Sequence, residues 1–233
     1  MNSTQSYSGV RGDTASVYMS HVYQWMTAGL GVTALVAWAV ASSPAALAVI
    51  FGNMIVMIGL IVAQFGLVIA LSAAISKMSS AMATVLFLLY AALTGTTLSS
   101  IFLVYPLGSI SSAFICTAGT FLAMSIYGTV TKRDLTSMGS FLTMGLFGII
   151  IASVVNIFLQ NTMMDFIISC IGVIVFTGLT AYDTQKLRNF GAGAPLDDAT
   201  AVRRGAILGA LELYLDFINL FLMMLRLFAS SRD

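Results

Sequence analysis

Charge is what this sequence has least of. Only 8% of its 233 residues are Asp, Glu, Lys or Arg, ten cations against nine anions, whereas soluble domains carry about 25%. With 59% of the residues hydrophobic and a mean hydropathy of +0.98, a water-soluble fold would have too few polar side chains to cover its surface. Lipid is the natural solvent. A net charge of +1 leaves no basic face for nucleic acid. His21 is the single histidine, which argues against a histidine-based metal site. Cys116 and Cys170 both lie in apolar runs and read as small buried side chains rather than as a disulfide. No P-loop, GxGxxG or HExxH pattern is present. Gly191 and Gly193 stand in a polar stretch and read as flexible positions.

What the chain does have is long apolar runs, at 22–41, 54–75, 81–104, 110–130, 139–159, 164–187 and 206–228. Each is near the ~20 residues that cross a bilayer as a helix, and helices are required because the backbone must satisfy its own hydrogen bonds in lipid. The second run has room to begin earlier, since 45–51 is also apolar. Residues 1–21 are polar and are expected to be a mostly disordered tail, 22–228 a single seven-helix transmembrane domain, and 229–233 a short tail. Ala39-Val40-Ala41 resembles a signal-peptidase site, but the polar leader is long and the apolar run is span-length, so cleavage is not expected. Connections are short apart from Arg188–Gly205.

Seven spans place Arg11, Lys77, Lys132, Arg133, Lys186, Arg188, Arg203 and Arg204 on one side and only Arg226 and Arg232 on the other. The basic side is expected to be cytoplasmic, with the N-terminus inside and the C-terminus outside. Ala91, Gly95 and Ser99, and likewise Gly205 and Gly209, have the four-residue spacing that lets helix backbones approach. Thr94, Thr96, Thr97, Ser99 and Ser100 are hydroxyls that ordinarily bond carbonyls of their own helix. The fourteen Met residues read as core filler.

The informative residues are acids inside apolar runs: Asp183 near the end of the sixth span, and Glu212 and Asp216 in the seventh. An ionised side chain at mid-bilayer costs about 2.5–3.5 kcal/mol on insertion scales and is tolerated where it faces protein or water. Glu212, Asp216 and Asn219 follow i, i+4, i+7 and share a helix face. The other faces are aliphatic too, which suits a seventh span at the centre of a bundle. The sixth and seventh spans can lie antiparallel, so Asp183 and Asp216 could meet if Asp183 lies deeper than the apolar boundary suggests. Two touching carboxyls cannot easily both ionise; sharing one proton, they make a short charge-assisted hydrogen bond and titrate as a unit. Removing that proton brings repulsion, and adding a second removes the charged acceptor. Either change loosens the two helices. Freed carboxylates are also hard oxygen ligands suited to Ca²⁺. The plainer alternative is that each acid is capped separately, by hydroxyls or by Lys186.

Two segments, "AYDTQKL" (Ala181–Leu187) and "LYLDFINLFLMMLRLF" (Leu213–Phe228), with "TKRDL" (Thr131–Leu135) between the fourth and fifth spans, resemble the hallmarks of the Bax inhibitor-one family, the transmembrane Bax-inhibitor-motif proteins. The likeness covers the chain from about Tyr18 to Phe228 and is nearest to compact bacterial members, since the tail "ASSRD" lacks a lysine-rich extension. The resemblance implies an all-α integral membrane protein of the bacterial inner membrane, six helices wrapped around a central C-terminal seventh. It also implies a pH-sensitive Ca²⁺ leak gated by an aspartyl pair, which falls on Asp183 and Asp216, with Tyr182, Glu212 and Asn219 as a supporting polar stripe and Ca²⁺ and H⁺ as partners. In the second span, where characterised relatives can carry charged residues, this chain has neutral Gln64, and its only cation there is Lys77. No arginine partner for the aspartates is therefore expected.

Other readings stay open. An intramembrane aspartyl protease needs two acids that share a proton, but Asp216 follows Leu213-Tyr214-Leu215 rather than a glycine, and no proline follows Pro195; an enzyme is not expected. A proton-coupled transporter would use the same acid pair, though no broken helix or inverted repeat is visible. A non-conducting regulator binding a membrane protease or other membrane proteins is a third reading. No tightly bound cofactor is expected.

Overall fold

The computed structural model describes residues 3–194 and 198–230, and side chains at 14–194 and 198–229. The side chain of Arg11 and the whole of Arg232 lie outside these, as does most of the expected C-terminal tail. The described chain is all α: α1 (Ser3–Ala41), α2 (Pro44–Phe51), α3 (Met54–Ala74) with a 3-10 turn at Ile75–Lys77, α4 (Ser80–Leu98), α5 (Ile101–Val104), α6 (Leu107–Val130), α7 (Thr136–Leu159), α8 (Thr162–Gly191) and α9 (Ala199–Ser230). Among the described residues seven helical segments are long and apolar enough to cross a membrane: Thr14–Ala41, Met54–Lys77, Ser80–Val104, Leu107–Val130, Thr136–Leu159, Thr162–Gly191 and Ala199–Ala229.

The boundaries follow from local chemistry. Ser43, Asn53 and Ser79 accept hydrogen bonds from the first free N–H groups of α2, α3 and α4, and Asp198 Oδ1 accepts from Thr200 and Ala201 at the start of α9. Pro106 precedes α6, where its missing N–H costs nothing.

Three elements depart from the sequence reading. The polar leader is helical, since α1 begins at Ser3, and within it Ala15, Tyr18, Met19 and Val22 fall on one face and are buried. The apolar 45–51 run does not lengthen the second span. Gly52 and Asn53 break it off as the separate helix α2, which has no buried residue. The expected long loop shrinks, since α8 runs on to Gly191 and α9 starts at Ala199. Gly191 is correspondingly not a flexible position; it is buried, and the Tyr18 ring lies where its Cβ would be.

The chain packs as two compact units, Met1–Val104 with Phe190–Tyr214, and Tyr105–Asn189 with Leu215–Asp233. In lipid there is little hydrophobic gain between helices, so close packing and buried hydrogen bonds hold them together. In the first unit a Cβ on Gly95 would stand 2.5 Å from the Thr33 carbonyl oxygen, so α4 and α1 touch backbone to backbone there. The Tyr214 hydroxyl hydrogen-bonds Thr33 Oγ1 at 2.7 Å, and Phe87 and Tyr90 meet the Tyr214 ring edge-on. Arg204 donates to the carbonyls of Ser76 and Met78, which fixes the start of α9 to the α3–α4 turn. Most third-span hydroxyls bond their own helix, as expected: Thr96, Thr97, Ser99 and Ser100 all donate to carbonyls three or four residues back.

In the second unit Gly128 of α6 meets Ala181 of α8, where a Cβ would collide with the Ala181 carbonyl oxygen. Leu142, Val175, Phe176, Leu220 and Met223 form its core, with Met138, Met164 and Met224 packed around them, which fits methionine as filler. Phe217 stacks edge-on against Phe114 and Phe121 of α6. Both cysteines are free thiols in this unit, and Cys116 is exposed, not buried, on a helix face directed outward. α9 is the most buried span: 67% of its most apolar window is buried, against at most 39% for any other span.

Candidate functional site

Asp183 and Asp216 lie in the same unit, one on α8 and one on α9. The extension of α8 decides this geometry. Gly191 ends the helix eight residues beyond Asp183, so the carboxylate sits about 12 Å from the helix end at 1.5 Å per residue. There the Asp183 carboxyl lies near enough to the side chain of Asp216 for the two to interact. Asp216 is 6% exposed and the Asp183 side chain 15%. Lys186, one turn along α8, brings its ammonium 3.3 Å from Asp183 Oδ1. Asp183 thus has the second aspartate as a neighbour and Lys186 as an ion-pair partner.

The residues that hold α8 in place were not among those singled out. Gln185 is buried; its Oε1 accepts from the Leu135 N–H at 2.9 Å and its Nε2 donates to the Arg133 carbonyl at 2.8 Å. That single side chain ties the α6–α7 connection to the turn of α8 carrying Asp183. Thr184 donates to Ser125 of α6, one turn before the Gly128 contact. Gly139 of α7 lies against the face of the Tyr182 ring. Small residues on α6 and α7 thereby let α8 approach on both sides. The signal available in the sequence was Gln185 itself, a neutral amide inside "AYDTQKL".

The other stripe residues make contacts of their own. Asn219 turns its amide to its own helix and donates to the Leu215 carbonyl at 2.8 Å. Tyr182 packs on Gly139 and lies under Lys186, whose ammonium is 6.0 Å from the ring centroid. Glu212 falls in the unit that also contains Tyr18. Gln64 bonds the Leu60 carbonyl of its own helix. At the opposite end of α8, Asp165 in the first turn pairs with Arg226 at 3.4 Å, a placement favourable to both helix dipoles. Among the described residues no three His, Cys, Asp or Glu side chains cluster as a metal site would.

Comparison with known proteins agrees with this architecture. Residues 15–233 match the family described as "Inhibitor of apoptosis-promoting Bax1". The inner membrane protein YbhL of Escherichia coli is 56% identical over 215 residues, 92% of each chain. Proteins of Borreliella burgdorferi and Deinococcus radiodurans are 50% identical over 216 residues, 93% of each chain, and 42% identical over 222 residues, 95% of this chain and 93% of the relative. An all-α chain with seven membrane-length helices, matched nearly end to end, belongs to the Bax inhibitor-1 family of multi-pass membrane proteins.

Proposed function

We propose that this protein is a pH-sensitive Ca²⁺ leak of the bacterial inner membrane, gated by Asp183 and Asp216. The observation that carries the reading is the proximity of these two carboxyls on α8 and α9. With one proton between them the pair holds a single negative charge, which the Lys186 ammonium balances at 3.3 Å. Loss of that proton sets two negative charges against one positive charge in a poorly solvated place, and the helices are pushed apart. A second proton leaves no anionic acceptor, and the charge-assisted bond and the Lys186 attraction are both weakened. The latch therefore has its greatest strength at one intermediate protonation state.

Opening would expose carboxylate oxygens to a passing cation. Ca²⁺ takes six to eight oxygen ligands, and two carboxylates with an adjacent ammonium are too few for tight residence, which suits permeation rather than storage. The proposed orientation keeps the basic ends of the spans in the cytoplasm, with the N-terminus inside and the C-terminus outside. YbhL, the relative from Escherichia coli, is named as an inner membrane protein, which supports the same location here.

The test is Ca²⁺ entry into liposomes containing the purified full chain, with an entrapped Ca²⁺ dye and a parallel proton indicator. A leak gives flux down the Ca²⁺ gradient without obligatory proton movement. Stoichiometric proton counterflow would replace this reading with a coupled transporter. No flux at any pH would end it.

A further inference from the structure

The first unit contains a second feature with the chemistry of a binding site. A groove of about 760 Å³ opens between the N-terminal half of α1 and the first turn of α9. Val17, His21, Gln24 and Ala28 stand on one face of α1 at helical spacing, and Trp25, Val202 and Arg203 complete the walls. The Arg203 guanidinium lies over the Trp25 ring, 5.1 Å from its centroid, and donates one hydrogen bond to Thr84 Oγ1. Among the described residues no other hydrogen-bond acceptor is paired with it, which leaves N–H groups for a ligand. No described carboxylate forms an ion pair with it. Asp198, the nearest acid in sequence, is turned to cap α9. His21 Nδ1 donates to the Val17 carbonyl at 2.8 Å, leaving Nε2 for a ligand.

We infer that this groove binds the headgroup of an anionic phospholipid. A positively charged fork held on an indole, above apolar walls and beside the positive end of a helix, matches a phosphate attached to acyl chains. Tryptophan with arginine at a span end is also the usual pairing at the headgroup level of a bilayer. The apolar walls favour a lipid over a free anion, which would gain nothing from Val17, Ala28 and Val202. This site is separate from the aspartate pair and does not depend on ion conduction.

The full chain in detergent, studied by native mass spectrometry, provides the test. Phosphatidylglycerol and phosphatidylcholine with identical acyl chains are the probes, with excess inorganic phosphate as competitor. Phosphatidylglycerol is expected to bind the more tightly. Arg203→Gln should weaken it about fivefold, the worth of one basic residue at a membrane surface, while leaving phosphatidylcholine unchanged. Trp25→Leu keeps an apolar wall and should weaken phosphatidylglycerol about two- to fivefold by removing the ring under the guanidinium. Lys132→Gln, remote in sequence and in the other unit, should change nothing. Equal binding of the two lipids would overturn the inference. So would an undiminished preference in Arg203→Gln with wild-type thermal unfolding, or displacement of phosphatidylglycerol by inorganic phosphate.

Discussion

Replacing Gln185 by Leu probes what holds the aspartate-bearing turn of α8 in position. The substitution preserves approximate volume but deletes one acceptor and one donor. The Leu135 N–H, on a residue 5% exposed, loses its 2.9 Å partner and has little access to water. The Arg133 carbonyl loses its 2.8 Å donor, but Arg133 is exposed and water can replace the amide. A buried group left unsatisfied costs about 1–3 kcal/mol, and a solvent-replaceable bond about 0.5–1.5 kcal/mol. The expected loss is therefore about 1.5–4.5 kcal/mol, most of it from Leu135. Denaturant or thermal unfolding in detergent, followed by circular dichroism, measures it. Gln185→Glu keeps the acceptor for Leu135 and should lose less than Gln185→Leu at neutral pH. A Gln185→Leu chain as stable as wild type, within about 0.5 kcal/mol, would refute the assignment of Gln185 as the tie between α8 and the α6–α7 connection.

Further substitutions test the packing and the loop. Gly128→Ala should destabilise the second unit strongly, since the new methyl would collide with the Ala181 backbone of α8, whereas Gly148→Ala, with nothing within 4 Å, should be neutral; paired melting curves in detergent distinguish them. Tyr214→Phe removes the 2.7 Å bond to Thr33. Thr33 keeps the Gly29 and Ala91 carbonyls, so the cost should be only about 1 kcal/mol by the same unfolding assay. Asp134, in the loop before α7, accepts from the Thr136 hydroxyl and N–H, which hold its carboxyl below the ordinary aspartate value of 3.8, the hydroxyl contributing first. Because the folded value is the lower one, the stabilisation of the α7 start is present above the ordinary aspartate range and is lost as pH falls through the depressed value. Thr136→Val should return the Asp134 titration part of the way to normal, read by the carboxyl ¹³C shift against pH; an unmoved titration would contradict this.

The spans were legible because a bilayer demands long uninterrupted apolar runs, and each of the seven left one. Their ends were not, because packing rather than hydropathy sets them. Tyr18 is buried, yet it sits among Ser, Thr and His residues that dilute the apolar signal. Lys186, Arg188 and Asn189 hid the last turns of α8 in the same way. That misplaced end mattered, since it made Asp183 look superficial when the helix continues well beyond it. Glu212, Asp216 and Asn219 share a face by spacing alone, but spacing cannot say whether an amide turns outward or, like Asn219, back onto its own carbonyls. Gln185 escaped notice because a polar residue in a polar stretch carries no contrast. Its importance comes from two backbone groups about fifty positions away in sequence.

The gate itself is tested most directly by Ca²⁺ flux against pH in liposomes carrying the Asp183→Asn, Asp216→Asn double variant. The amides keep the volume and can still hydrogen-bond across α8 and α9, so a folded chain is expected, checked by its helical circular dichroism and melting. Wild-type flux should change with pH, and the double variant should give a profile flat across the same range. A folded double variant that retains the wild-type pH profile would contradict the account.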